Sequence, residues 1–167
     1  MKRIILLILF AFGSHAQFAQ SISVDALRRE YYKVNADSAA CAKLYNKISK
    51  AANSDNTSLA YKGAITAAMA NHAKEKQEKL KLFNSGKKLL EQSIVSDSSN
   101  IELRFLRFTI QTNCPKALGY NKQIGADKKF ILANFSAVTN TAIRNMMLAF
   151  VAQSTYLTDA EKQKLKQ

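Results

Sequence analysis

From Ser23 onward, apolar residues recur at the spacing of an α-helix, and few folds are compatible with that pattern. In segment 38–52, for example, they stand at i, i+3, i+4 and i+7, positions that share one face of a helix. These residues are Cys41, Leu44, Tyr45 and Ile48. The chain has one proline and five glycines, too few for the turns that a β-sandwich needs about every 8–12 residues. We therefore predict an all-α fold.

Helical periodicity and polar breaks divide the chain into a series of predicted helices. Their approximate ranges are 24–35, 38–52, 57–73, 74–95, 101–112, 127–135 and 139–154. Asp127 is predicted to cap the sixth of these helices. Thr158 and Glu161 fit the capping box of a short, lysine-rich helix at the C-terminal end. The pattern predicts one helical domain over residues 17–167, with its core at about 24–155.

The third and fourth predicted helices have unusual surfaces. The third carries a surface of small residues that would let a neighbouring helix approach closely: Ala60, Gly63, Ala64, Ala67 and Ala68. The fourth begins with a lysine-rich stretch, 74–88, which has two interpretations. It is either a solvated helix face that continues a packed core, or an amphipathic helix that lies on an anionic membrane.

Segment 101–112 is predicted to be a central helix that is apolar over most of its circumference, because a polar cluster precedes it and Pro115 follows it. Three charged residues interrupt it: Glu102, Arg104 and Arg107. On such a helix their charges must reach a rim, a groove or one another. They are therefore either a structural clamp at the edge of the core or the floor of a binding groove. Tyr61 and the adjacent Lys62 have the same two interpretations.

The N-terminal segment has the three parts of a secretory signal peptide. Two basic residues precede an apolar run from Ile4 to Phe12, and Ser14–Ala16 supplies a small-x-small exit. The apolar run is about half the length that spans a bilayer. We expect residues 1–16 to be removed, with cleavage after Ala19 as the alternative. The mature protein is expected to be exported, and therefore periplasmic or secreted.

The chain is strongly basic, with 25 Lys and Arg residues against 12 Asp and Glu and a formal net charge of +13. An excess of this size attracts polyanions over a Debye length, about 8 Å at physiological salt. For an exported protein these polyanions would be anionic lipids, acidic glycans or acidic proteins rather than nucleic acid. Because most of the cations are Lys, the residue of solvated faces, solubility is the simpler explanation of the charge.

Residues suited to catalysis or metal binding are scarce after the predicted signal peptide. His72 is the only histidine there, and its spacing from Cys41 and Cys114 is not that of a metal site. We predict no cofactor, no metal and no catalytic residue, since a Cys–His nucleophile pair has no local support. In an oxidising compartment the two cysteines have two alternatives: a disulfide between them, or two separate thiols.

Residues 86–111 resemble the junction between two units of a tetratricopeptide protein. They would form the second helix of one unit, a turn, and the first helix of the next. The turn contains Asp97 followed by Ser98, where that family often has Asp followed by Pro. The resemblance implies a stack of antiparallel helix hairpins.

The sequence also resembles a group of small exported bacterial proteins of unknown function. The resemblance lies in four segments: Leu59–Gly63, Phe83–Leu90, Arg104–Arg107 and Gln111–Pro115. It covers about residues 55–135. It implies a tetratricopeptide-like helical bundle or short α-solenoid behind a signal peptide, and it supplies no activity and no catalytic residues.

These observations favour a non-enzymatic, exported scaffold or adaptor module that binds a protein or peptide in a groove between its helices. The candidate groove residues are Arg104, Arg107, Glu102 and Tyr61. The alternative is a cationic protein that binds anionic lipid or glycan surfaces. A third hypothesis is an exported hydrolase with an unrecognised site.

Overall fold

The computed structural model describes residues 22–51 and 55–166. Within them the chain forms eight α-helices and no strand, so the prediction of an all-α fold is confirmed. The helices are α1 (Val24–Tyr31), α2 (Ser38–Lys50), α3 (Asn56–Met69), α4 (Lys76–Ser96), α5 (Ile101–Asn113), α6 (Ile124–Asn134), α7 (Thr141–Gln153) and α8 (Asp159–Lys166). Short 3-10 turns at Lys116–Leu118 and Phe135–Ala137 follow α5 and α6. The predicted signal peptide, residues 1–16, and both predicted cleavage points lie outside the described residues.

Short polar side chains begin several of these helices. Asp37, Asp55 and Asn100 each accept hydrogen bonds from backbone amides in the first turn of the helix that follows. At α8, the Thr158 amide donates to the Glu161 carboxylate at 2.8 Å, and the Glu161 amide donates to Thr158 Oγ1 at 3.2 Å. The predicted capping box is therefore confirmed.

The first predicted helix is shorter than expected. It ends at Tyr31 rather than at residue 35, because the amides of Lys33 and Val34 donate to carbonyls three residues earlier and tighten the chain into turns. Val34 is nevertheless fully buried, so it packs in the core as predicted although it lies beyond the end of the helix.

The predicted role of Asp127 is wrong. The sixth helix begins at Ile124, and Asp127 lies within its first turn instead of capping it. Its carboxylate is fully buried and pairs with two arginines of α5. Charge pairing across the fold, which sequence spacing does not reveal, determines where this side chain lies.

The backbones of α3 and α4 pack closely where two glycines meet. A β-carbon on Gly63 would lie 2.6 Å from the Leu90 amide nitrogen, and one on Gly86 would collide with the backbone of Ala67. Only glycine leaves room for this approach. The small-residue surface predicted on the third helix is thus the surface that packs against α4.

Helix α5 lies at the centre of the fold and contacts α3, α4, α6 and α7. Its apolar side chains are almost completely buried, and Leu103 and Leu106 are 0% exposed. Phe105 and Phe108 pack edge-on against Phe150 of α7, with ring centroids 5.5 and 6.0 Å apart. The prediction of a central, mostly apolar helix is confirmed.

Candidate functional site

The four predicted groove residues are divided between two clusters near the N-terminal half of α5. In the first, Glu102 is 3% exposed. Arg28 of α1 donates two hydrogen bonds to its carboxylate, each at 2.7 Å. The Tyr61 hydroxyl of α3 donates a third, also at 2.7 Å. We call these three residues the Glu102 cluster.

The electrostatics of the Glu102 cluster keep its charges paired. The hydrogen bond to Glu102 raises the pKa of the Arg28 guanidinium. Burial raises the pKa of the Tyr61 hydroxyl, and the negative charge of Glu102 raises it further. Arg28 therefore stays charged and Tyr61 neutral at physiological pH. The cluster connects α1, α3 and α5.

Asp127 organises the second cluster, and it is 0% exposed. Arg107 donates to its carboxylate from Nε at 2.7 Å and from Nη2 at 2.9 Å, and Arg104 donates from Nε at 2.8 Å. Arg107 also donates to Glu91 of α4 at 3.0 Å. Glu91 in turn accepts a hydrogen bond from the Tyr120 hydroxyl. We call these five residues the Asp127 cluster.

The charges of the Asp127 cluster balance, with two carboxylates facing two guanidinium groups. The Arg104 guanidinium also stacks on the Phe130 ring, 4.1 Å from its centroid. Burial raises the pKa of the Tyr120 hydroxyl, and its hydrogen bond to Glu91 raises it further. These contacts join α4, α5 and α6. Because each charged group pairs with another residue of the fold, the cluster has the contacts expected of a structural clamp.

The two cysteines are free thiols, so of the two alternatives the structure has the separate thiols. Cys41 of α2 is 0% exposed, and burial raises its pKa to about 11. Cys114 directly follows α5 and is half-buried, and burial also raises the pKa of its thiol. Its Sγ lies 3.6 Å from the Tyr120 carbonyl oxygen.

His72 links the segments that follow α1 and α3. Its Nε2 lies 3.0 Å from the Val34 carbonyl oxygen, which is hydrogen-bond distance. Across residues 22–51 and 55–166, no three His, Cys, Asp or Glu side chains are grouped as ligands of a metal ion would be.

A cavity of about 260 Å³ opens at the C-terminal end of α5, away from the predicted groove residues. Its apolar wall is formed by three helices and includes Ala67, Ala68, Phe83 and Ile110. Lys76 and Lys79 of α4 line its edge, together with Leu80, which is 41% exposed. Asn113, Cys114 and the following 3-10 turn complete it. We call it the lysine-rimmed cavity.

The lysine-rimmed cavity has an excess of positive charge. Its lining, as far as the structure describes it, includes Lys76 and Lys79 but no Asp or Glu. Neither lysine forms an ion pair with any described residue, whereas Lys128 pairs with Glu161 at 2.9 Å. The cavity edge therefore carries two exposed lysines that form no ion pair with a described residue.

A second cavity of about 250 Å³ adjoins the first, because Asn35 and Asn113 line both. It is more polar and combines the aromatic rings of Tyr32, Phe150 and Tyr156 with Thr112, Gln153 and Ser154. We call it the polar cavity. Asn35 Oδ1 is buried and accepts no hydrogen bond from a described residue. The first cavity thus has an apolar lining with two lysines at its edge, and the second has a more polar lining.

The sequence did not reveal these cavities, because their linings are largely alanine and asparagine side chains, which occur in many helical proteins. One signal was present. Lys76, Lys79, Leu80 and Phe83 stand at i, i+3, i+4 and i+7, so they share one face of α4. That spacing places two lysines on the same helix face as two apolar residues.

Among the described residues, no helix combines the length and the hydrophobicity needed to cross a membrane. No family model, curated protein or solved structure matches the chain.

Proposed function

We propose that this protein is a non-enzymatic interaction module that binds an extended segment of a partner protein along the lysine-rimmed and polar cavities. The observation that carries this proposal is that Asn35 and Asn113 line both cavities, so we take the two cavities as the parts of one groove. Binding sites are typically concave, mostly apolar and supplied with a few polar groups that orient the ligand. An extended peptide suits such a groove because it offers both apolar side chains and backbone amides.

The size of the lysine-rimmed cavity supports a side chain as its occupant. An apolar cavity of about 150 Å³ accommodates benzene. A cavity of about 260 Å³ therefore has room for a leucine or phenylalanine side chain. Leu80, which is 41% exposed at the edge, extends the apolar surface that such a side chain would cover.

Asn35 supports a peptide backbone as the second element of recognition. A buried, unpaired carbonyl oxygen costs about 1–3 kcal/mol. Because Asn35 Oδ1 is shielded from solvent, a partner's donor reaches it only after the side chain turns towards one of the two cavities. A backbone N–H in the groove would then satisfy it.

We also infer a tetratricopeptide-like arrangement of the central helices. In support, α4 contacts both α3 and α5, and the turn between α4 and α5 spans only 97–100. Helices joined by turns this short pack as antiparallel neighbours. The groove would then lie at one end of the hairpins.

The protein is proposed to act after export. N-terminal sequencing of the protein recovered from the periplasm or the medium tests this. We expect the recovered chain to begin at Gln17, or at Gln20 if cleavage follows Ala19. A chain that begins at Met1 and remains in the cytoplasm would contradict export.

The exposed first turns of α4 favour a second candidate function, binding to an anionic lipid or glycan surface. Lys76, Lys79 and Lys81 are exposed there with Leu80, and the exposed Lys74 lies just before the helix. Charge-driven binding of this kind should weaken steeply between low and physiological salt. Binding in the groove should weaken less, because salt does not screen its apolar contacts.

A random-peptide display selection against the full chain tests the proposed function. We expect enriched peptides that bind the unchanged protein but not Ala117→Trp, because residue 117 is exposed at the cavity wall and a tryptophan there would fill the opening. The matched control is Ala160→Trp, at an exposed position of α8 outside both cavities. Failure to enrich any peptide, or equal binding to both variants, would contradict the proposal.

A further inference from the structure

We propose that the lysine-rimmed cavity selects its partner by charge, and binds a peptide segment in which a large apolar residue has an Asp or Glu one or two positions away. This inference rests on the proposed function and names the partner chemistry that the groove recognises. It depends on three properties of the described cavity: its apolar wall, its two exposed lysines and its polar neighbour.

The apolar wall requires an apolar side chain. Ala67, Ala68, Phe83 and Ile110 are each at most 4% exposed, so the wall belongs to the packed core and is not a solvated surface. A partner's apolar side chain that packs against this wall would itself leave water, which is favourable by about 25 cal/mol for each Å² of its apolar area buried. This contact supplies affinity but does not distinguish among apolar residues.

The two lysines add the selectivity. Lys76 and Lys79 lie on the face of α4 that also presents Leu80 and Phe83 to the cavity. A lysine packs its methylene chain along an apolar wall while its ammonium group stays at the surface. In that arrangement both ammonium groups would lie beside the position that the partner's apolar side chain takes.

The two lysines lie in the first turn of α4. Lys76 is the first residue of the helix, where the partial positive charge of the helix N-terminus disfavours a cation. The neighbouring acids Glu75, at the N-cap, and Glu78, in the first turn, do not line the cavity, and neither is in a described ion pair. A carboxylate from the partner would add a negative charge on the cavity side of α4, where the described lining has none.

The polar cavity favours a peptide over a lipid. The lysine-rimmed cavity on its own would suit a fatty acid, which is also an apolar chain with an anionic group. An acyl chain that continued into the polar cavity would displace water from the amide of Gln153, which a hydrocarbon cannot satisfy, and would cover Thr112 and Ser154, whose hydroxyls already bond within the fold. A peptide backbone has donors and acceptors for the amide of Gln153.

Charge reversal tests the inference in the full chain. In the double variant Lys76→Glu/Lys79→Glu, peptides selected on the unchanged protein should lose affinity by about tenfold or more. A new selection on this variant should enrich Lys or Arg beside the apolar residue. The matched control is Lys47→Glu/Lys50→Glu on α2, which has the same spacing, the same change in net charge and two exposed positions outside both cavities.

The outcomes separate this inference from the proposed function. Loss of affinity in the α4 variant alone, with exchange of acidic for basic residues in the second selection, supports the inference. Equal losses in the two double variants, or selected peptides without acidic residues, overturn it and leave the proposed function in place if Ala117→Trp still abolishes binding. Selective binding of phosphatidylglycerol vesicles through Lys76 and Lys79, with no peptide enriched, overturns both.

Discussion

The two ends of α5 use polar side chains in opposite ways. Near its N-terminal half, Glu102, Arg104 and Arg107 each pair with an oppositely charged residue of another helix. The resulting clusters connect α5 to four other helices. At its C-terminal end the cavity edge carries Lys76 and Lys79, which pair with no described residue. Charged residues within an apolar helix thus belong to the scaffold, and the chemically available charges lie on a neighbouring helix.

This difference also explains why the cavity is open. The N-terminal half of α5 is covered by Arg28, Tyr61 and Asp127, each of which reaches across from another helix. At the C-terminal end the facing residues of α3 are alanines, including Ala67 and Ala68, which are too short to reach across. Small residues let α3 and α4 approach closely at their crossing, and they leave space where the helices meet α5.

The largest expected effect comes from breaking the Asp127 cluster. Asp127→Asn leaves Arg104 and Arg107 without their shared carboxylate in a buried site, and we expect a loss of about 3–5 kcal/mol in the free energy of unfolding. Urea denaturation measures it. The control Glu161→Gln removes a half-buried partner of Lys128 and should cost less than about 1 kcal/mol. Similar losses in the two variants would mean that the Asp127 cluster is not a structural clamp.

The next largest effect is expected where α4 packs against α3. Both helices also contact α5. Gly86→Ala places a methyl group against the Ala67 backbone and should destabilise the protein by about 2–3 kcal/mol. Gly125→Ala in α6 meets no atom within 4 Å and should be neutral or stabilising by up to about 1 kcal/mol. Thermal denaturation of both variants decides this. An unchanged melting temperature for Gly86→Ala would refute the close crossing.

A smaller effect is expected in the Glu102 cluster. Tyr61→Phe removes one of three hydrogen bonds to a buried carboxylate that Arg28 still pairs, so the expected loss is about 1–3 kcal/mol. Tyr32→Phe, at a residue that is 48% exposed, should change stability by less than about 0.5 kcal/mol. Chemical denaturation compares the two. Equal values would indicate that Tyr61 contributes packing alone.

The alkylation rates of the two thiols compare the cavity with the buried core without a change in the stability of the protein. Cys114 lines the lysine-rimmed cavity, whereas Cys41 is fully buried with a pKa of about 11. Because a reagent reaches Cys114 but not the fully buried Cys41, and because the thiolate is the reactive form, we expect Cys114 to be alkylated at least about tenfold faster at pH 8. Mass spectrometry of the labelled protein measures both rates. A bound peptide should protect Cys114, and equal labelling of the two cysteines would contradict the arrangement.

The sequence predicts the helices well because each is determined by local pattern. The capping box at Thr158 and the apolar stripes of α5 follow from residues that are close together in the chain. The pairing of Asp127 with Arg107 joins residues that share no local pattern, and so a carboxylate interpreted as a cap is found inside an ion-pair cluster. The cavity was not predictable for the same reason, since it arises where three helices leave a space.

One measurement compares the two regions most directly: the change in backbone and arginine side-chain NMR signals when a selected peptide is added to the protein. We expect the largest changes at residues that line the lysine-rimmed cavity, among them Lys76, Lys79 and Ile110. The Nε–H signals of Arg104 and Arg107 should stay in place, because their hydrogen bonds to Asp127 are unchanged. The account would be contradicted if the largest changes occurred at Arg104, Arg107 and Glu102 while the signals of the cavity residues stayed unchanged.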